Sequence, residues 1–233
     1  MWYSKEQASE KYPGVTFYGD VWIGQDVEIG QDVEIGQGVR IWQGVEIGQD
    51  AVIGKNVWIG QDVEIGQDVE IGQDVRIWQG VRIGQDVVIG KNVRIGQDVW
   101  IGQDVWIGSC VFIGEDVEIG QGVEIGQDVR IGWCVFIGED SVIGRGAEIN
   151  LGAKVDRRRK NVSDNLVITG IDETKNITAF KCDDGLIITI DCMNGYKGLS
   201  LEDTRKEVSK KYPPDHEYFD ALNLVEKWYE RRK

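Results

Sequence analysis

Acid–base, nucleophilic and metal chemistry each need particular side chains, and this chain of 233 residues supplies few of them. Histidine is the usual general base near neutral pH, and His216 is the single one. It follows Tyr212-Pro-Pro-Asp215 at the start of an apolar helical pattern, so it reads as opening a helix rather than as a base. Four cysteines, Cys110, Cys134, Cys182 and Cys192, make no C-x-x-C pair and no Cys/His spacing suited to zinc. Cys110 and Cys134 stand where a repeated phrase otherwise carries Asp or Gly, and are expected to be free thiols. The carboxylates recur at exposed positions, where no burial raises a pKa toward general-base work. Asp32, Asp50, Asp68, Asp86 and Asp104 recur along one edge, and their stacking is the one arrangement that would draw a cation such as calcium. Each Asp capping its own turn in screening solvent is the commoner outcome. The expectation is therefore no catalytic residue, no metal and no cofactor.

What the chain has in place of such chemistry is a phrase. From Phe17, through Ile23 and Ile29 to Ile149, and then Val155, an apolar residue returns every sixth position without insertion or deletion, in the consensus V-x-I-G-Q-D. Val and Ile two apart share one face of a short strand, and the residue between them points outward. Gly-Gln-Asp then forms a corner, where Gly, Asn and Asp tolerate the backbone angles required. A strand of about three residues plus a turn suits a coil whose core is stacked Val and Ile from successive rungs. Residues 37–72 and 73–108 are identical at 30 of 36 positions. A recent duplication and an idealised sequence both account for that likeness.

The strict hexads resemble the hexapeptide-repeat left-handed β-helix family, in which three hexads form one triangular coil. The resemblance covers more than half of the chain and implies a mainly β fold: a left-handed parallel β-helix of about eight coils with a small C-terminal α+β module. It also implies trimeric relatives, many of them acyl-CoA-dependent acyltransferases with a His general base near an extruded loop, and one branch of zinc carbonic anhydrases with three His ligands. Residues 15–155 contain no His, and no loop interrupts a coil. No residue carries over from either catalytic pattern.

Folded at three hexads per coil, the outward positions separate into three faces. The second face holds Trp22, Arg40, Trp58, Arg76, Arg94 and Phe112, with Trp42 and Trp78 replacing Gly at its edge. The third is mainly acidic, with Glu28, Glu46, Glu64 and Glu118. Aromatics and Arg enrich interface cores, and cyclic symmetry pairs unlike faces. These eight aromatic and basic residues are therefore the candidate interface or ligand face, opposed by the four glutamates of a neighbouring copy. Gln31, Gln49, Gln67, Gln85, Gln103 and Gln121 stack at one corner and Gln25, Gln43, Gln61, Gln79 and Gln97 at another, where amides can bond from rung to rung.

The domain reading is a capping helix at 1–14, the solenoid at 15–155, a basic linker at 156–165, a β-hairpin module at 166–198 and two helices at 199–233. Ser4-Lys-Glu-Gln7 is a capping-box pattern before Pro13. Strands are read at Leu166–Ile171, Ile177–Cys182 and Leu186–Cys192, with Asp184-Gly185 as a hairpin turn. Ser200 opens one helix and Asp215 caps the last.

Residues 15–155 hold 23 acidic and nine basic residues, so the repeat carries the whole formal charge of −14. An acidic rod repels phosphates and anionic membranes, which argues against nucleic-acid and membrane partners. With no apolar leader, the expected location is cytoplasmic. The leading expectation is a non-catalytic structural or assembly solenoid that self-associates as a homotrimer. The alternative is an acyltransferase homologue, inactive or not, that binds an acyl-CoA-like ligand between subunits. A second alternative is glycan binding on the tryptophans.

Overall fold

A computed structural model describes residues 1–149, 154–155, 162–171, 175–182, 185–190 and 199–231. From Thr16 onward nearly every hexad contributes a two-residue strand, and each strand pairs in parallel with the one three hexads away. Glu28 thus faces Glu46, Glu46 faces Glu64 and Glu64 faces Arg82. The result is a parallel β-solenoid of the left-handed β-helix class, with three strand columns around one core. The column that starts at Glu28 is an eight-stranded sheet.

The repeat explains this arrangement position by position. Val and Ile point inward and are almost wholly buried from Val33 to Ile149. Three N–H groups of each hexad bond to neighbouring rungs: Glu64 to the Val81 carbonyl at 3.0 Å, Gly66 to Ile83 at 2.9 Å and Asp68 to Gln49 at 3.1 Å. The last corner residue adopts positive φ, 53° to 61° at sixteen Asp, Asn and Cys positions, which Asp and Asn tolerate better than other side chains. The first corner residue is Gly for a different reason. A Cβ on Gly66 would lie 2.5 Å from the Gly84 carbonyl oxygen and 2.6 Å from its carbon.

Two of the three corners dilute their own charge. In one column Gly44 and Gly80 alternate with Asp62 and Asp98, whose Oδ1 atoms lean over those glycines. In another, Asn56 donates to Asp74 at 3.2 Å. The column Asp32, Asp50, Asp68, Asp86, Asp104 has no such spacer.

Both ends are covered. Trp2–Tyr3 runs antiparallel to Val21–Trp22, and the N-terminal ammonium donates to the Ile23 carbonyl at 2.7 Å. Helix α1 (Lys5–Lys11) carries the capping box at Ser4 and Gln7 and buries Ala8. At the far end, Val142–Ile149 pairs with Val162–Ile171, which continues antiparallel into Lys175–Cys182 and then Gly185–Ile190. This first added strand begins at Val162, so Val162–Asn165 of the expected linker are strand. Asp156–Lys160, Asn161, Asp184 and Cys192 lie outside the described residues. Phe180 is 1% exposed and belongs to the solenoid core, which it closes.

A second, smaller core joins Ile177, Ala179 and Ile188 to helices α2 (Leu201–Ser209) and α3 (Glu217–Glu230). Ser200 caps α2. The expected cap of α3, Asp215, is displaced by its neighbour: the His216 side chain accepts from the Tyr218 N–H at 3.4 Å. Two aromatic partners fix the imidazole there. Its ring lies 4.4 Å from Tyr212 and stacks on Tyr218 at 17°.

Candidate functional site

The second face places its outward residues in strict register: Trp2 beside Trp22, then Arg40, Trp58, Arg76, Arg94, Phe112 and Arg130 on successive coils. Period-two alternation turns each of them away from the core. Rungs are about 4.8 Å apart, so planar groups on adjacent rungs meet face to face or edge to face. Arg40 lies over Trp58 at 4.7 Å and over Trp2 at 5.5 Å, and Arg76 covers Trp58 at 5.4 Å. Trp22 and Trp42 have ring centroids 5.0 Å apart, and Trp42 and Trp58 5.6 Å. The sequence-derived residues Trp22, Arg40, Trp42, Trp58 and Arg76 are thus one connected aromatic and cationic strip. Cation–π contacts of this kind hold guanidinium planes in place while their N–H edges remain available.

Beside the strip lies an open groove of about 260 Å³ lined by Trp42, Trp58, Gly60, Gln61, Arg76, Ile77, Trp78 and Gln79. Its walls are indoles, its floor is backbone at Gly60, and it holds one guanidinium and two amides. Trp58 is 39% exposed and Trp78 42%. Arg94 sits one rung beyond Arg76, in register with it. Phe112 is exposed but stands two rungs beyond Arg76 and does not line the groove.

The acidic face divides. Glu28, Glu46 and Glu64 stand on three adjacent rungs, and Arg82 pairs with Glu64 at 3.3 Å, both well exposed. Glu118 is separated from them by Arg82 and Trp100. Among the described residues no group of three or more His, Cys, Asp or Glu is disposed to hold a metal ion, and the Asp ladder makes no such group. The Gln ladder shows one amide–amide contact there, Gln85 to Gln67 at 3.5 Å, while Gln121 donates to Asp104 at 3.0 Å. Cys110 and Cys134 are exposed free thiols on left-handed corners. Tyr18 donates to Glu34 at 2.7 Å, and that bond holds its phenol above the ordinary value.

Sequence reasoning missed Trp2 and Gly60, and read Gln61 and Gln79 only as stacked corner amides. Gly60 was findable, because it shares a corner column with Trp42 and Trp78. Trp2 was not, because it lies outside the repeat and only the antiparallel return of the chain places it near Arg40.

The family profile that matches is described as bacterial transferase hexapeptide (six repeats), over residues 19–49, 50–85, 80–115, 98–132 and 111–145. These segments together cover more than half of the chain. Among solved structures, LpxA from Acinetobacter baumannii is 17% identical, with 93% of this chain and 94% of that one covered and a TM-score of 0.43. The UDP-N-acetylglucosamine acyltransferase from Campylobacter jejuni is 15% identical, covering 94% and 81%, with a TM-score of 0.42. The acetyltransferase domain of PglB from Neisseria gonorrhoeae FA1090, in complex with acetyl coenzyme A, is 20% identical with a TM-score of 0.33. There the alignment takes 49% of this chain and 55% of that one, so the chain spans about half its length. A search of curated protein sequences finds no match.

Proposed function

Because the chain belongs to the bacterial transferase hexapeptide family, we propose that it is a transferase homologue that binds an acyl-CoA-like ligand on its second face. The observation that carries this reading is the groove of Trp42, Trp58, Arg76 and Trp78. Apolar walls with few polar groups and a fixed cation are the usual make-up of a small-molecule site. A guanidinium with free N–H edges meets the anionic end of such a ligand, and the indoles meet its planar or acyl parts. The solenoid offers no His as a base, so the proposal is binding without efficient transfer. Calorimetric titration with acetyl-CoA and CoA tests it. Saturable binding that is weakened by high salt supports the reading, and the absence of heat at millimolar ligand refutes it.

A second reading, self-association, has its own support. Phe112 on the second face and Trp100 and Phe136 on the third are 41–50% exposed on the later coils, and exposed aromatics beside polar rims support association. In a homotrimer the basic second face of one copy meets the acidic third face of the next, and the groove lies near that seam. Solution mass measurement decides it: a species of 26.2 kDa sinks the trimer.

A further inference from the structure

The cover over the first coil lies on two of its three columns. In the first column α1 packs on Thr16–Phe17, where Tyr12 meets Phe17 at 6.4 Å. In the second, Trp2–Tyr3 pairs antiparallel with Val21–Trp22. There Met1 exchanges two bonds with Ile23: the Ile23 N–H donates to the Met1 carbonyl at 2.9 Å, and the Met1 ammonium to the Ile23 carbonyl at 2.7 Å. In the third, Glu28–Ile29 is the end strand of the eight-stranded sheet and pairs on one side only, with Glu46–Ile47.

Ile29 stands one hexad after Ile23 and presents the same two backbone groups. The Glu28 and Gly30 N–H groups donate to the next coil, at Val45 and Ile47, at 2.9 and 2.8 Å. Alternation therefore turns the Ile29 N–H and C=O toward the open edge, and among the described residues no hydrogen bond reaches either. The core beneath is less covered as well. Ile29 is half-buried, whereas Ile47, Ile65 and Ile83 in the same column are each 4% exposed.

The outward side chains add a charge signal. Glu28, Glu46 and Glu64 stand directly opposite one another on successive rungs, and like charges so placed destabilise a sheet. Arg82 relieves that run at one end, where it pairs with Glu64 at 3.3 Å. No rung lies beyond Glu28 at the other end. An open groove of about 420 Å³, whose lining includes Glu28, Ile29, Gly30, Glu46 and Glu64, runs from this edge and has room for a long basic side chain.

We propose that the Glu28–Ile29 edge docks an extended peptide segment of another protein, which adds one antiparallel strand in an apolar–basic–apolar pattern. Its first apolar residue exchanges both backbone bonds with Ile29, as Met1 does with Ile23. The basic residue stands opposite Glu28, as Arg82 stands beside Glu64, and the second apolar residue stands opposite Val27. Strand addition of this kind takes affinity from main-chain bonds and selectivity from alternate side chains. The strand Trp2–Tyr3 shows that two residues suffice to pair at this end of the solenoid. The edge belongs to the third column and the ligand groove to the second face, so neither assignment depends on the other.

The test is fluorescence anisotropy of a labelled, end-blocked Val-Arg-Val-Arg-Val peptide titrated with the full chain. Two further peptides accompany it, one N-methylated at its valines and one of the same composition with the arginines grouped together. Saturable binding of the alternating peptide is expected, weakened about tenfold by N-methylation, which removes the edge bonds. Glu28→Lys, with circular dichroism confirming the coil, is expected to weaken it about fivefold by setting like charges opposite. The N-methylation effect is expected to persist at high salt. Absence of saturable binding at millimolar peptide overturns the proposal, as does unchanged affinity in Glu28→Lys. Equal binding of the N-methylated or regrouped peptide also overturns it, leaving attraction to the acidic rod alone. Copies of the chain that associate, and that the alternating peptide disperses, make a second copy the occupant and overturn the assignment to another protein.

Discussion

Replacing Gly66 by Ala isolates the steric rule that sets the solenoid's pitch. The column Gly30, Gly48, Gly66, Gly84, Gly102, Gly120 and Gly138 is glycine on every coil. The added methyl would meet the Gly84 carbonyl oxygen at 2.5 Å, whereas ordinary C···O contacts begin near about 3.3 Å. The corner must open by roughly 0.8 Å to reach that distance. Gly66 N–H to Ile83 at 2.9 Å and Asp86 N–H to Gln67 at 3.1 Å span the same gap, so both stretch past useful length. Two such bonds contribute about 2 kcal/mol together, and Ala returns about 0.5 kcal/mol by restricting the unfolded chain. The expected loss is about 1.5 kcal/mol, or roughly 3–6 °C in Tm for a chain of this size. Gly146→Ala separates space from backbone angle. Gly146 has φ +70° and nothing within 4 Å of its Cβ position, so it bears only the left-handed penalty of about 1 kcal/mol. Thermal melts followed by far-ultraviolet circular dichroism give the comparison. Gly66→Ala with a Tm equal to or above wild type refutes the steric account, as does a loss smaller than that of Gly146→Ala.

Two further outcomes follow from the ends and the first coil. Phe180→Ala empties the plug that closes the solenoid core, and a loss of about 3–5 kcal/mol is expected; a denaturant midpoint within error of wild type contradicts the plug. The Tyr18 phenol is raised by its bond to Glu34, so its contribution is complete below the unfolded value of 10.0 and fades as pH climbs through the raised one. Ultraviolet difference titration should show one phenol ionising late in the wild type and missing in Tyr18→Phe. Unchanged curves contradict the bond.

The strand positions, the buried Val and Ile and the left-handed corners follow from a six-residue phrase, since each is a local consequence of where a side chain points. The strip on the second face follows too, once three hexads are folded into each coil. The groove does not follow from the outward positions alone, because Gly60 matters for what it lacks and must be read down a corner column. The ends are harder still. Trp2 and Phe180 acquire their roles from chain returns that no periodicity encodes. His216 caps α3 in place of Asp215 because Tyr212 and Tyr218 hold its ring, and that grouping depends on the turn between two helices.

The Trp42–Gly60–Trp78 arrangement arises where one 36-residue unit meets the next, so it is a property of the junction rather than of either unit. Adding or removing a whole 36-residue unit changes the length by two coils without shifting the frame of the coil. Each inserted copy adds one more junction while the two end caps stay as they are. The number of such junctions is then set by how many units stack, without a new fold.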